Sequence, residues 1–244
     1  MALSARRTLV TGASQPLGIA LVRYSLQRGD KVYAAARNPA RVPVLADLRA
    51  EYSGLELIAL DPADAASVAD AIPVLEGLTS SLDLLVLGPA EPGAHDRLSD
   101  AVRDDVLESL SGTGITEHFR RHAVAPLLLV RTLLPLLTAS ESARVLAVAS
   151  WRGAVAAKDG GGGYATDTSA AALHMMMRAL SFDLQPLAIP VCMAGAGQYA
   201  TVPPDDEDDV TLGDVAQGLL HVLERMPREK SGAFYDWTGT ERSW

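Results

Sequence analysis

Val10-Thr11-Gly12-Ala13-Ser14-Gln15-Pro16-Leu17-Gly18 follows the first apolar run of the chain and leads into its first helical period. A strand, a glycine-bearing turn and a helix in that order make a concavity suited to an anion. The glycines let backbone approach closely, and the first amides of the helix point at whatever sits there. Outward from this stretch the same alternation repeats. Short apolar runs over 8–10, 31–36, 55–60, 82–87, 144–149, 189–194 and 232–235 read as seven strands. Helical periods over 18–28, 41–51, 64–75, 115–137, 166–184 and 212–225 fall between them. Unbroken apolar stretches such as Leu84-Leu85-Val86-Leu87 suit parallel strands covered on both faces. Right-handed crossovers then give an α/β, doubly wound parallel sheet of about seven strands with helices on both faces, and ligands at the carboxyl ends of the strands. No internal repeat or linker interrupts the pattern, so 1–244 reads as a single domain.

The composition narrows the function classes. A hydrophobic share of 48% with 21% charged residues is that of a globular chain able to bury a core, not of a disordered one. A net charge of −9 opposes nucleic acid or an anionic membrane as partner. Cys192 is the sole cysteine, which excludes an intrachain disulfide and a cysteine-rich metal site; within Ile189-Pro190-Val191-Cys192-Met193 it reads as a buried thiol. The first strand starts almost at the N-terminus, and no run is expected to reach the ~18 apolar residues of a membrane span. A cytoplasmic protein without membrane contact is the expectation. Two segments stand out. The four glycines of 160–163 imply a flexible connector or a close backbone approach. The acidic run Pro203-Pro204-Asp205-Asp206-Glu207-Asp208-Asp209 reads as a solvated start for the next helix, or as a contact for a cationic ligand or partner.

The layout and its motifs resemble the short-chain dehydrogenases/reductases, a Rossmann-like family, from about Thr8 to Trp244. Thr11-Gly12 to Leu17-Gly18 resembles the family's Thr-Gly-x-x-x-Gly-x-Gly turn, with Pro16 at the middle glycine. The resemblance assigns cofactor contacts to Gly12, Ser14, Leu17, Gly18, Asp61, Ala90 and Thr201. Arg37, just past the second strand, matches the pattern that pairs with the 2′-phosphate of NADP(H). Asp61 matches the adenine contact, and equally suits a helix N-cap. After the fourth strand Leu87-Gly88-Pro89-Ala90 replaces the family's Asn-Asn-Ala-Gly. Binding of NADP(H) is therefore expected to be weakened or lost, and no metal is expected.

The catalytic positions are also altered. In the family a tyrosine moves the proton, a lysine lowers its pKa, a serine holds the substrate oxygen, and a helix asparagine supports the relay. Ser150, in Ala149-Ser150-Trp151-Arg152-Gly153, matches the serine. Tyr164 lies fourteen residues on and would put Thr168 at the lysine; the ungapped register instead puts Thr166 at the tyrosine and Ala170 at the lysine. Either way the lysine is gone. His122, in His122-Ala123-Val124-Ala125-Pro126, takes the asparagine position, with His118 one turn earlier. A histidine there can act as a general base or as a polar residue between helices.

These substitutions set the functional expectation: a small-molecule enzyme that reuses the pocket for redox-neutral chemistry as a cyclase, isomerase, lyase or dehydratase, with Ser150, Thr166 and His122 in the site. The alternatives are an NADP(H)-dependent oxidoreductase using Tyr164 and a rearranged relay, and a catalytically silent partner subunit. The resemblance further implies a homodimer or homotetramer joined through the two long helices, which are apolar over 127–137 and 173–184.

Overall fold

The structure, a computed structural model, describes residues 5–89, 107, 110–197 and 210–244. Seven strands form one parallel sheet in the order β3-β2-β1-β4-β5-β6-β7. They are β1 (Arg7–Val10), β2 (Lys31–Ala36), β3 (Leu55–Ala59), β4 (Leu84–Leu87), β5 (Arg144–Ala149), β6 (Val191–Gly195) and β7 (Phe234–Asp236). The order reverses between β1 and β4, so the strand ends there open onto a crevice. The doubly wound α/β expectation holds, and β2 and β5 carry the expected bounds. β4 begins two residues later than its apolar run, and β6 runs over Val191–Gly195 instead of 189–194.

The helices are α1 (Pro16–Gln27), α2 (Pro43–Glu51), α3 (Ala65–Leu78), α4 (Gly112–Phe119), α5 (Ala125–Thr138), α6 (Tyr164–Asp183) and α7 (Leu212–Arg225). Adjacent strand residues feed opposite cores because side chains alternate across a sheet. Leu9, Leu85 and Val145 pack on one face with Leu129 and Leu133 of α5 and Met177 of α6. Val10, Val86 and Leu146 pack on the other with Leu17 and Leu21 of α1 and Leu219 and Leu223 of α7. Cys192 is buried in this second layer, where loss of water pushes its thiol up to about 12.

Two expectations need correction here. Arg120–Val124 is a π-helical turn joining α4 to α5, so Gly112–Thr138 runs as one continuous helix. By length and composition alone it passes as a membrane span, contrary to the expectation that nothing does. Its α5 portion nevertheless lies on the sheet through Leu129, Val130, Leu133 and Leu137, the place of a core helix. Second, the N-cap of α3 is Asp64, which accepts the Ala66 N–H at 3.0 Å, and not Asp61. Asp61 is thereby released from that role. The glycine run is also only partly free: Gly162 and Gly163 hold φ of 76° and 70° at the entry to α6. Space around Gly160 and Gly161 is open. The acidic run over 203–209 lies outside the described residues.

Candidate active site

The crevice at the switch point is built by backbone lying on backbone. Gly12 has φ +64°, and a β-carbon on it would collide with the Pro89 carbonyl oxygen. One on Gly18 would strike the Gly12 carbonyl, and one on Gly88 the Thr11 carbonyl. Three glycines therefore let the β1 turn, the start of α1 and the β4 turn interlock. Thr11 ties the turns after β1 and β4 together. Its N–H donates to the Val86 carbonyl at 3.0 Å, and its Oγ1 accepts the Gly88 N–H at 3.1 Å. The Ala13 N–H reaches the Ala35 carbonyl at 3.0 Å and anchors the turn to β2. Pro16 occupies the first turn of α1, where its missing N–H breaks no helical bond.

Thr11, Gly12, Arg37, Asp61, Gly88 and Arg121 line this cleft together. Of the expected cofactor contacts, Gly12, Arg37 and Asp61 are thus assembled. Leu17 is fully buried in the core, Gly18 supports Gly12 from behind, and Ser14 is half-buried in the turn. Ala90 and Thr201 lie outside the described residues. Asp61 is held in place: its Oδ1 accepts the Ala63 N–H at 2.9 Å, and Oδ2 faces the Arg121 guanidinium at 3.4 Å. Arg121 was not among the expected site residues. Its signal was adjacency to His122, which a regular helical period points to a different face.

At the carboxyl end of β5, Ser150 caps a 3₁₀ turn, Trp151–Gly153, by accepting the Arg152 N–H at 3.2 Å. Gly153 packs so closely on α6 that a β-carbon there would meet the Ala170 backbone. The residue at the family's lysine position is thus part of a tight backbone contact. Thr166 is half-buried in the first turns of α6, whereas Tyr164 and Thr168 are exposed. Asp167 fastens the glycine loop. Burial alone would raise its pKa, but Lys158 at 2.7 Å and Arg152 at 2.5 Å outweigh this and hold the carboxyl below its ordinary value.

The π-turn brings His118 and His122 face to face, with ring centroids 3.9 Å apart and planes 9° from parallel. His118 Nδ1 lies 2.9 Å from Ser169 Oγ, and that hydroxyl donates to the Thr166 carbonyl at 2.9 Å. The Ser169 hydroxyl thus bridges the His118 ring and the backbone of the first turn of α6. Ser169 and Thr166 thereby couple the histidine pair to the start of α6. Among the described residues no group of three or more histidine, cysteine, aspartate or glutamate side chains is placed to hold a metal. A further histidine escaped sequence reasoning. His174 of α6 is buried against Phe234 and Trp244, and neither ring nitrogen reaches a hydrogen bond of normal geometry. Burial pushes it down to about 4, only partly opposed by the nearby Ser150 backbone.

A family profile described as short chain dehydrogenase matches residues 6–206. The C-signal protein of Myxococcus xanthus is 30% identical over 166 residues, covering 68% of this chain and 95% of that protein. An uncharacterised oxidoreductase of Schizosaccharomyces pombe is 24% identical over 95% of both chains. Among solved structures, the NADPH-bound carbonyl reductase from chicken fatty liver superposes with a TM-score of 0.85 at 24% identity, covering 99% of this chain and all of that one. The redox-neutral expectation is contradicted by the likeness to the oxidoreductase of Schizosaccharomyces pombe, which spans 95% of both chains. The inference from the lost lysine and tyrosine was at fault: it treated altered proton-transfer residues as a change of reaction class, while the crevice beside them kept its glycine-built shape.

Proposed function

The chain belongs to the short-chain dehydrogenase family, and on that premise we propose that it is an NADP(H)-dependent reductase of small carbonyl compounds with a rearranged proton relay. The observation that carries this reading is the cleft itself. Gly12 and Gly88 sit where no side chain fits, and Arg37 lines the same cleft from the end of β2. That geometry suits a pyrophosphate against backbone and a phosphorylated ribose against a guanidinium. Gly12, Arg37 and Asp61 would hold the cofactor, which supplies hydride when bound. Ser150 holds the carbonyl oxygen through its hydroxyl. His122 delivers the proton to that oxygen, with His118 oriented beneath it by Ser169. Tyr164, at the first turn of α6, is the alternative proton donor of the segment.

The test is consumption of NADPH with a panel of small aldehydes and ketones. Turnover that falls in Ser150→Ala and His122→Ala but survives in Tyr164→Phe supports this relay. Loss in Tyr164→Phe alone returns the proton to the tyrosine. No turnover on any carbonyl, with NADPH bound, contradicts the reductase reading.

Self-association belongs to the same reading. Phe119 and Leu128 on the long helix, and Met175 and Phe182 on α6, are exposed large apolar side chains. They support a homodimer or homotetramer built on these two helices. Sedimentation at micromolar concentration checks it, and a monodisperse monomer contradicts it.

A further inference from the structure

Arg121 lines the cleft together with Arg37 and Asp61. The described residues lining the cleft include three charged side chains: Arg37 from the end of β2, Asp61 from beyond β3, and Arg121 from the π-turn. Arg121 is only 13% exposed, and its Nε donates to Glu117 Oε1 at 2.7 Å, which fixes the direction of the guanidinium. Its contact with Asp61 is of another kind. At 3.4 Å, Nη1 to Oδ2 is at the long end of a hydrogen bond, while Asp61 keeps a shorter bond to the Ala63 N–H. The guanidinium is therefore firmly aimed on one side and loosely engaged on the side of the cleft.

We propose that Arg121 is a second cofactor-binding residue, which joins Arg37 on the phosphate of the adenosine ribose and sets the preference for NADP(H) over NAD(H). This rests on the reading that the cleft takes a nicotinamide dinucleotide. A dianionic phosphate accepts two parallel N–H bonds from a guanidinium, and replaces a long single contact to a carboxylate with shorter, charge-assisted ones. Glu117 stays ionised throughout: its hydrogen bond from Arg120 is the main influence, that from Arg121 adds to it, and together they hold it at about 2. The side chain that aims Arg121 therefore does not lose its charge near neutral pH.

The experiment is equilibrium binding of NADPH, NADH and the fragment 2′,5′-ADP to the wild type, Arg121→Ala and Arg121→Lys. Thermal unfolding is followed in parallel, and the lysine variant retains the charge should the alanine variant fold poorly. Arg121→Ala is expected to weaken NADPH and 2′,5′-ADP by about tenfold or more and NADH by less than about threefold, with Arg121→Lys in between. Asp61→Asn, which releases the guanidinium, is expected to tighten 2′,5′-ADP. Equal losses for NADPH and NADH would place Arg121 on a shared part of the cofactor and overturn the assignment. Unchanged NADPH affinity in both Arg121 variants would also overturn it, while leaving the reductase reading intact. A wild type that binds neither dinucleotide removes both.

Discussion

The two candidate regions at the carboxyl ends of the strands are made of different materials. On the β1–β4 side the cleft is shaped by backbone at Gly12, Gly18 and Gly88, each pressed against a carbonyl of a neighbouring segment. On the β5–α6 side the candidate groups are side chains: Ser150, the His118–His122 stack, Ser169 and Thr166. A backbone surface has few substitutes, because any β-carbon there collides. A side-chain relay can be rebuilt from other hydroxyls and imidazoles. The contrast explains how the chain keeps the family's crevice while its proton-transfer residues differ.

The sharpest way to break this contrast is Gly12→Ala. The collision with Pro89 and the positive φ should cost about 3 kcal/mol or more in denaturant unfolding. A near-neutral Gly12→Ala would mean the turns are not interlocked. Next is His174, whose buried ring is held neutral. Between about 4 and the ordinary 6.5 the unfolded chain takes up a proton that the folded chain does not. Stability should therefore fall as pH drops across that window, by on the order of 3 kcal/mol, and level off below it. His174→Leu should lose most of this slope in unfolding curves taken at a series of pH values; a slope unchanged by the substitution contradicts the assignment.

Smaller effects are expected on the side-chain end. Ser150→Ala should lower kcat by about a hundredfold with little change in unfolding, since it removes one donor to the substrate oxygen. His118→Ala should lower kcat by about tenfold and shift the pH profile of kcat/KM, because it acts through His122. An altered melting temperature with the pH profile intact would make His118 purely structural. Smallest of all is Gly160→Ala, which meets open space and should stay within about 0.5 kcal/mol of the wild type.

Legibility followed the same divide. The apolar run 31–36 is β2 to the residue, and the glycine turn, Arg37 and Asp61 were found at the crevice because backbone architecture leaves periodic traces. What the sequence concealed depended on which way side chains point. The π-turn changes the helical period at Arg120–Val124, so the facing of Arg121 into the cleft was not predictable from a regular repeat. The bond from the Gly88 N–H to the Thr11 hydroxyl, which ties the two turns together, leaves no trace in the sequence beyond the threonine of the turn motif. Asp61 suits a helix cap by sequence, and only the bond from the Ala66 N–H to Asp64 shows that Asp64 holds that place. The loss of a lysine is likewise visible in sequence, whereas the contact of two stacked histidines with Ser169 is visible only in three dimensions.

The central claim is that the interlocked glycine turn still serves a phosphorylated dinucleotide. Calorimetric titration of the cofactor-free protein with NADPH and NADP⁺, beside NADH and NAD⁺, tests it most directly. The account predicts saturable binding that favours the phosphorylated pair and weakens in Arg37→Ala. Absence of binding to all four at millimolar concentration would contradict it, and would leave the glycine turn as scaffold alone.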